Sequence, residues 1–328
     1  MGKRVGITAV GSHFPPKIVT NDDLSKIMDT SDEWIRSRTG IRQRHYVEPG
    51  TGASDIAFPA VQALLAKRGI GSEEIDLIIV ATVTPDTLFP STACRLQHLM
   101  GASNAWGFDL SAACSSFLYA LTSGWDLVAS GRVGKALIVG VDIMSSILNM
   151  KDRTTAVLFG DGAGCVLLEE VTSGGLIGSK LKIDGAGANQ LHMPAGGSKR
   201  PASLETVANG EHYVHQNGRE VFKTAVREMA DVSLSLLRDH GRSPSDLDLF
   251  IPHQANIRII ESAAKRLSLE PEQVMINIDR RANTTSATLP TCMDEAVESG
   301  RLRAGDLVLM ATFGAGYTWG AALCEWSF

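Results

Sequence analysis

The 328-residue chain lacks any apolar run near the roughly 18 residues a membrane-spanning helix needs. Its start, MGKRVGITAVGSHFPP, is basic but has no signal-peptide apolar region or cleavage site. Basic charge is not in excess. Lys and Arg number 31 against 36 Asp and Glu, and the net charge of −5 removes the footprint of a general nucleic-acid binder. A local basic patch remains compatible with that balance. Cysteine is sparse and odd in number (Cys94, Cys114, Cys165, Cys292, Cys324), with no C-x-x-C spacing. That argues against a disulfide framework and a zinc site. The eight histidines show no H-E-x-x-H or similar spacing, so no metal is expected. A reducing cytoplasm is the expected setting. Hydrophobic residues at 44% and charged residues at 20% suffice for a sizeable core. The length suits two domains, or one domain of two halves.

The chain repeats itself. Residues 64–80, LLAKRGIGSEEIDLIIV, align without a gap with 236–252, LLRDHGRSPSDLDLFIP, at an offset of 172 residues. Each copy reads as helix, glycine turn (Gly69, Gly241), acidic helix start, and apolar strand after Asp76 or Asp248. WGFDLSAACSSFLYALTSGWDLVAS then matches QVMINIDRRANTTSATLPTCMDEAVES as strand, turn and helix. Buried strands follow at 136–141 and 306–313. Each half closes on a Gly-rich turn and a strand, 160–170 and 314–326. Repeated β-α units predict parallel sheets covered by helices. The halves divide as 1–171 and 172–328. The segment 171–216 interrupts the repeat, and 27–60 and 192–216 read as insertions able to build a tunnel or lid.

Ligands in such sheets sit beyond the strand C-termini. Three polar residues stand there. Cys114 follows the strand 105–110 and precedes a helix, where the positive helix end lowers a thiol pKa. The small residues S-A-A-C-S-S permit a tight elbow of the kind that presents nucleophiles. Taken alone, Cys114 fits a buried structural role as well. His253 follows the strand DLFIP, and Asn283 lies in the second-half turn matching that of Cys114. Either alone is ordinarily a turn or cap residue. The three together, on one edge, point to catalysis. Cys114 is then expected to be the most readily alkylated of the five thiols. The Gly-rich turns at 160–164 and 314–320 lead into strands, not helices, so no NAD or flavin is expected.

In order along the chain stand T-S-D-E-W (30–34), R-T-G-I-R (38–42), A-A-C-S-S-F (112–117) and D-R-T-T (152–155). F-G-D-G-A-G (159–164), P-H-Q-A-N (252–256), N-T-T-S (283–286) and F-G-A-G-Y-T-W-G (313–320) follow. This series resembles the β-ketoacyl-acyl carrier protein synthase III family of condensing enzymes, over essentially the whole chain. The resemblance implies a thiolase-like duplicated α/β/α/β/α layered fold with two pseudo-symmetric halves. It implies an acyltransferase that condenses an acyl-coenzyme A starter with malonyl-acyl carrier protein, releasing carbon dioxide at the start of fatty acid synthesis. Coenzyme A is then a substrate, and no cofactor is needed.

By the same resemblance Cys114 is the nucleophile, and His253 and Asn283 stabilise the enolate left by decarboxylation. Trp34, Arg38 and Arg153 are the expected coenzyme A contacts, and Asn256 lies near the pantetheine arm. Phe313 is expected to shape the pocket behind the cysteine, and the loop at Ala315 to serve the oxyanion. Ala282 and Ala315 stand where the family often has glycine; if Ala315 needs positive φ, its Cβ costs about 1 kcal/mol. A homodimer is expected, with Phe89 capping the partner's acyl pocket. Arg219, Lys223 and Arg227 share one helix face, as do Arg258, Lys265 and Arg266 on the next helix. They form the expected docking patch for an acidic carrier protein. Three other readings remain. A cysteine hydrolase uses the same three residue types. A relative in specialised metabolism would use another acyl donor. A silent binding homologue is disfavoured by the intact Cys, His and Asn.

Overall fold

The computed structural model describes residues 2–328. Nine strands form two sheets. The first contains β1 (Val5–His13), β2 (Leu77–Ala81), β3 (Trp106–Leu110), β4 (Lys135–Ile143) and β5 (Asp161–Glu170), in the order β1-β5-β4-β2-β3. The second contains β6 (Gly175–Ile183), β7 (Leu249–Pro252), β8 (Leu307–Gly314) and β9 (Thr318–Glu325), in the order β6-β9-β8-β7. The sequence of pairings is the same in both. The outer two pairs, β1–β5 and β5–β4, are antiparallel, like β6–β9 and β9–β8. The inner pairs, β4–β2 and β2–β3, are parallel, like β8–β7.

This corrects the expectation of parallel sheets. The turn from Gly314 to Thr318 is far too short for a parallel crossover, so β9 returns antiparallel. A second correction concerns QVMIN. Where β3 stands in the first sheet, the second sheet has only a bridge between Phe250 and Val274.

The repeat explains itself in hydrogen bonds. The Asp76 carboxylate accepts from the backbone N–H of Gly134 (2.7 Å) and Lys135 (2.9 Å), at the start of β4. Asp248, 172 residues on, accepts from Leu307 N–H (2.7 Å) at the start of β8. Each repeated aspartate sets the register of the strand beside its own.

Helices α1 (Asp32–Thr39), α2 (Ala53–Arg68), α3 (Thr92–Met100), α4 (Ser116–Ala129), α5 (Gly218–Asp239), α6 (Ile257–Arg266) and α7 (Thr288–Glu298) complete the layers. α4 and α7 lie between the sheets and touch both. Their apolar faces join one continuous core, with Phe117, Leu121, Leu289 and Met293 against Ile138, Val166, Ile251 and Val308. α2 and α3 cover the outer face of the first sheet, and α5 with α6 that of the second. The result is the duplicated α/β/α/β/α arrangement. β2, β4 and β8 are buried along almost their whole length, which is why they read as unbroken apolar runs.

Candidate active site

The repeat offset carries down to the two catalytic turns. A one-turn 3₁₀ segment, Ala113–Ser115, precedes α4, and another, Thr285–Ala287, precedes α7. Ala113 (φ 51°) and Thr285 (φ 52°) are both left-handed, and they are 172 residues apart. The residue matching Cys114 is therefore Ser286. Asn283 matches Ser111, three residues before the nucleophile. Asn283 therefore lies in the turn equivalent to that of Cys114, at a different position within it.

The serines of A-A-C-S-S-F lock the first elbow. Ser116 Oγ accepts from Ala112 N–H (2.7 Å) and donates to Ala113 O (2.6 Å). Ser115 Oγ donates to Thr318 O (3.1 Å), and Thr318 Oγ1 donates to Ala112 O (2.7 Å). The last loop and the nucleophile turn are thus one unit. Gly314 faces that turn. A Cβ there would lie 2.7 Å from Cys114 N and 3.1 Å from Ser115 N. Its missing side chain clears the space in front of the Cys114 N–H, where a tetrahedral oxyanion needs a donor. The residue 172 positions earlier is Asp142, and its carboxylate accepts from Ser286 N–H (2.9 Å). Asp142 also accepts from Thr82 Oγ1 (3.0 Å), Val83 N–H (2.8 Å) and Thr84 N–H (3.1 Å). Burial pushes its pKa up, against those donors.

Cys114 is buried, and burial raises its thiol pKa to about 12, with the Asp142 charge adding to the rise. This overturns the expectation of a depressed pKa. Desolvation is the largest cause of the rise, and a thiol shifted this far is protonated at neutral pH. Cys94, by contrast, is exposed.

His253 extends from the end of β7 and is buried, which lowers its pKa to about 3. It is neutral and carries one N–H. Its Nδ1 lies 2.6 Å from Thr288 Oγ1, and its Nε2 has no partner. Thr288, the first residue of α7, holds a single hydroxyl proton between Nδ1 and Thr285 O at 3.1 Å. That proton serves only one of the two; assigning it to Nδ1 makes this nitrogen an acceptor and leaves Nε2–H free to donate into the site.

Asn283 is pinned through its backbone. Its N–H donates to Leu158 O (3.0 Å), and its C=O accepts from Gly160 N–H (3.0 Å). Its Oδ1 accepts from Thr285 N–H (2.9 Å), leaving the Nδ2 protons available. Before it, Ala282 sits at φ 57°, ψ −163°, a region nearly reserved for glycine and costing about 1–3 kcal/mol. Ala315 is not among the positive-φ residues; the strain anticipated for it falls on Ala282, while Gly316 takes φ 128°.

Two cavities meet at Cys114. The larger, about 350 Å³, brings Cys114, His253 and Asn283 together with Trp34, Arg38, Asn256 and Phe313. Phe313 thus faces this cavity, its ring 4.9 Å from that of Tyr317 and tilted 45° to it. The ring in the cavity behind the cysteine is Phe159. At the mouth, the Arg38 and Arg153 guanidiniums lie 4.9 and 5.2 Å from the Trp34 ring. Asn256 caps α6 through Arg258 N–H and donates to Arg38 O (3.0 Å), tying the α6 start to α1. The smaller cavity, about 170 Å³, is lined by Val83, Ala113, Met144, Ile147, Leu191, Met193, Val214 and Ala315, among others. Both insertions named from the sequence contribute walls: Trp34, Arg38 and Thr39 from one, Met193 and Val214 from the other.

Elsewhere, Phe89 is 85% exposed and lines neither cavity. Arg219, Lys223 and Arg227 share the exposed face of α5, and Arg258, Lys265 and Arg266 are exposed on the adjacent α6. Two of the six are already paired, Arg227 with Glu228 (2.8 Å) and Arg266 with Asp231 (2.6 Å). Among the described residues no helix is long and apolar enough to cross a membrane. Sequence reasoning missed Thr288, Asp142, Gly314 and Asp161. Asp161, of F-G-D-G-A-G, accepts from Ser145 N–H (2.8 Å) and Val47 N–H (2.9 Å), fixing the 144–147 wall. The 172-residue offset would have flagged the pair Asp142 and Gly314.

Comparison with known proteins places this geometry. The family model for 3-oxoacyl-[acyl-carrier-protein] synthase III matches residues 108–185, and its C-terminal counterpart matches 237–326. The chain is 53% identical over 326 residues to the beta-ketoacyl-[acyl-carrier-protein] synthase III of Solibacter usitatus, covering 98% of each. It is 49% identical over 323 residues to that of Symbiobacterium thermophilum, again covering 98% of each. The solved 3-oxoacyl-[acyl-carrier-protein] synthase III of Aquifex aeolicus superposes with a TM-score of 0.91 at 38% identity, over 98% of this chain and 100% of that one. The priming beta-ketosynthase of the R1128 polyketide pathway superposes at 0.92 with 33% identity, over 99% and 97%.

Proposed function

Because the chain belongs to the β-ketoacyl-acyl carrier protein synthase III family, we propose that Cys114, His253 and Asn283 carry that family's condensation here. The protein is an acyltransferase. It joins an acyl-coenzyme A starter to malonyl-acyl carrier protein and so initiates fatty acid synthesis. The observation that carries the assignment of residues is their meeting at one cavity, with a second, apolar cavity opening from the same sulfur.

Cys114 Sγ attacks the acyl thioester carbon while the oxygen gathers charge in front of Cys114 N–H. The tetrahedral adduct expels coenzyme A, whose sulfur takes the proton that the cysteine loses. Since the resting thiol is protonated, this proton moves as the bonds exchange. Malonyl-carrier protein then enters through the larger cavity. Its carboxylate leaves as carbon dioxide, and the bonding pair passes onto the thioester oxygen as an enolate. His253 Nε2–H and Asn283 Nδ2–H donate to that oxygen. The enolate carbon attacks the acyl-cysteine carbonyl, and Cys114 departs as thiolate and is reprotonated. No step gains or loses electrons, and decarboxylation itself supplies the carbanion, so we assign no cofactor. The neutral imidazole suits a donor role better than an acid role.

Three further assignments go with this reading. Trp34, Arg38 and Arg153 offer an indole face and two guanidiniums to an adenine nucleotide. The unpaired cations Arg219, Lys223, Arg258 and Lys265, with Arg227 and Arg266, suit an acidic carrier protein. A homodimer is supported by the exposed Leu88 and Phe89 and by the uncovered edge of β3 with exposed Trp106. Light scattering reads that state directly. A cytoplasmic setting fits substrates of this kind. The test of the core assignment is intact-mass detection of an acyl group on Cys114, followed by its loss when malonyl-carrier protein is added. An acyl group found on another residue would end it.

A further inference from the structure

Resting on the reading of Asn283 as an enolate donor, we propose that Arg44 is a positioning residue that holds Asn283 in place through the segment 157–160. Arg44 lies on a two-stranded ribbon, Lys17–Thr20 with Gln43–Tyr46, outside both main sheets, and it lines neither cavity. It is nevertheless 0% exposed. Its guanidinium donates to uncharged oxygens: Nη1 to Asn21 Oδ1 (2.8 Å) and Val19 O (3.4 Å), Nη2 to Val157 O (2.8 Å). Its Nε has no partner. Burying a charge on such terms is costly, and an aliphatic residue would fill the space without that cost. What an aliphatic residue lacks is a pair of separately aimed donors.

The Nη1 side is anchored. Asn21 is itself buried and donates to Ile41 O (2.8 Å) and Asp32 Oδ1 (2.8 Å), so the guanidinium hangs from a fixed amide. The Nη2 side reaches the site. Val157, Leu158 and Phe159 line the larger cavity. Asn283 lies on this segment as a strand lies on its neighbour, bonded to Leu158 O and Gly160 N–H, both at 3.0 Å. Gly160 lets the segment close on Arg44, since a Cβ there would lie 3.1 Å from Arg44 Cβ. Arg153, earlier in the same stretch, is held separately. It donates to Asp29 O (2.6 Å), and the Asp152 carboxylate secures its turn at Thr154 N–H (2.9 Å). Loosening Arg44 therefore displaces Asn283 and spares the coenzyme A contacts.

The test is Arg44→Lys, which replaces two aimed donors by one nitrogen on a flexible stem. Acylation of Cys114 by acetyl- or isobutyryl-coenzyme A, whichever is faster, is followed by intact mass. Carbon dioxide release from malonyl-carrier protein is counted per acylatable Cys114, so unfolded enzyme drops out. Since a displacement of about 1 Å can cost about 10²-fold, release should fall at least roughly tenfold while acylation changes by less than about twofold. On an Asn283→Ala background the same change should have almost no further effect, because the group it positions is gone. Should Arg44→Lys not fold, Asn21→Ala frees Nη1 and should show the same split and the same non-additivity. Undiminished release, equal losses in both half-reactions, or a full further loss on top of Asn283→Ala overturns the proposal and leaves Asn283 as donor. Release undiminished by Asn283→Ala alone overturns the donor reading as well.

Discussion

Removing His253 or Asn283 should separate the two half-reactions. Both side chains have one free donor aimed into the larger cavity: His253 Nε2, which lacks any partner, and Asn283 Nδ2, whose companion Oδ1 is held by Thr285 N–H at 2.9 Å. Charge reaches their shared oxygen only as carbon dioxide leaves. Losing one such donor typically costs about 10²–10³ in rate, or roughly 2.7–4 kcal/mol. The structure places His253→Ala at the low end. Truncating a buried ring beside a cavity of about 350 Å³ admits water, which donates in its place. Asn283→Ala keeps its backbone ties to Leu158 and Gly160 but frees Thr285 N–H, worth about 1 kcal/mol of turn order. It should fall at the high end. The double variant should lose less than the product of the single losses, because both donors act on one oxygen. Acyl transfer to Cys114 should continue in all three. The assay pairs intact-mass detection of acyl-enzyme with release of carbon dioxide from malonyl-carrier protein. If His253→Ala blocked acylation as fully as Cys114→Ala, His253 would be the base of a Cys–His pair and the enolate role would be withdrawn.

Thr288→Val should lower condensation about tenfold and spare acylation, with Thr288→Ser restoring it. A nitrogen NMR spectrum showing His253 protonated at Nδ1 in the unaltered protein would contradict the tautomer assigned to it. Cys94 should now be alkylated before Cys114, whose rate should rise about tenfold per pH unit through neutrality, since a pKa raised to about 12 leaves the thiol protonated below it. A plateau for Cys114 near pH 7 would refute the burial argument. Ala282→Gly should raise stability by about 1 kcal/mol in urea titration by relieving φ 57°; a loss would show the strain to be absent. Reversing Lys223 and Arg258 to Glu should raise KM for malonyl-carrier protein and leave malonyl-coenzyme A turnover unchanged, whereas equal losses would remove the docking patch.

What the sequence revealed followed from its duplication. The 172-residue offset located helix, glycine turn and strand in both halves, and it put Cys114, His253 and Asn283 on one edge. It misread strand direction as parallel throughout, because a buried antiparallel strand such as β5 is as uniformly apolar as a parallel one. It misjudged the Cys114 thiol because a helix end is visible in sequence and burial is not. It missed Thr288 because the partner of a histidine ring is chosen by packing across 35 residues. Phe313 was placed behind the cysteine on family pattern, yet its ring turns toward the cavity of Trp34.

The correspondence of Asp142 with Gly314 has a consequence for how one fold comes to be reactive on a single side. In the half without a nucleophile, a carboxylate permanently occupies the backbone N–H of Ser286. In the other half the same berth, before Cys114 N–H, is vacant because residue 314 has no side chain. The protein therefore carries a resident stand-in for the anion that forms only fleetingly during turnover. Introducing an acid at 314 would turn that stand-in into a built-in inhibitor of Cys114. One missing side chain separates a structural anion site from a catalytic one.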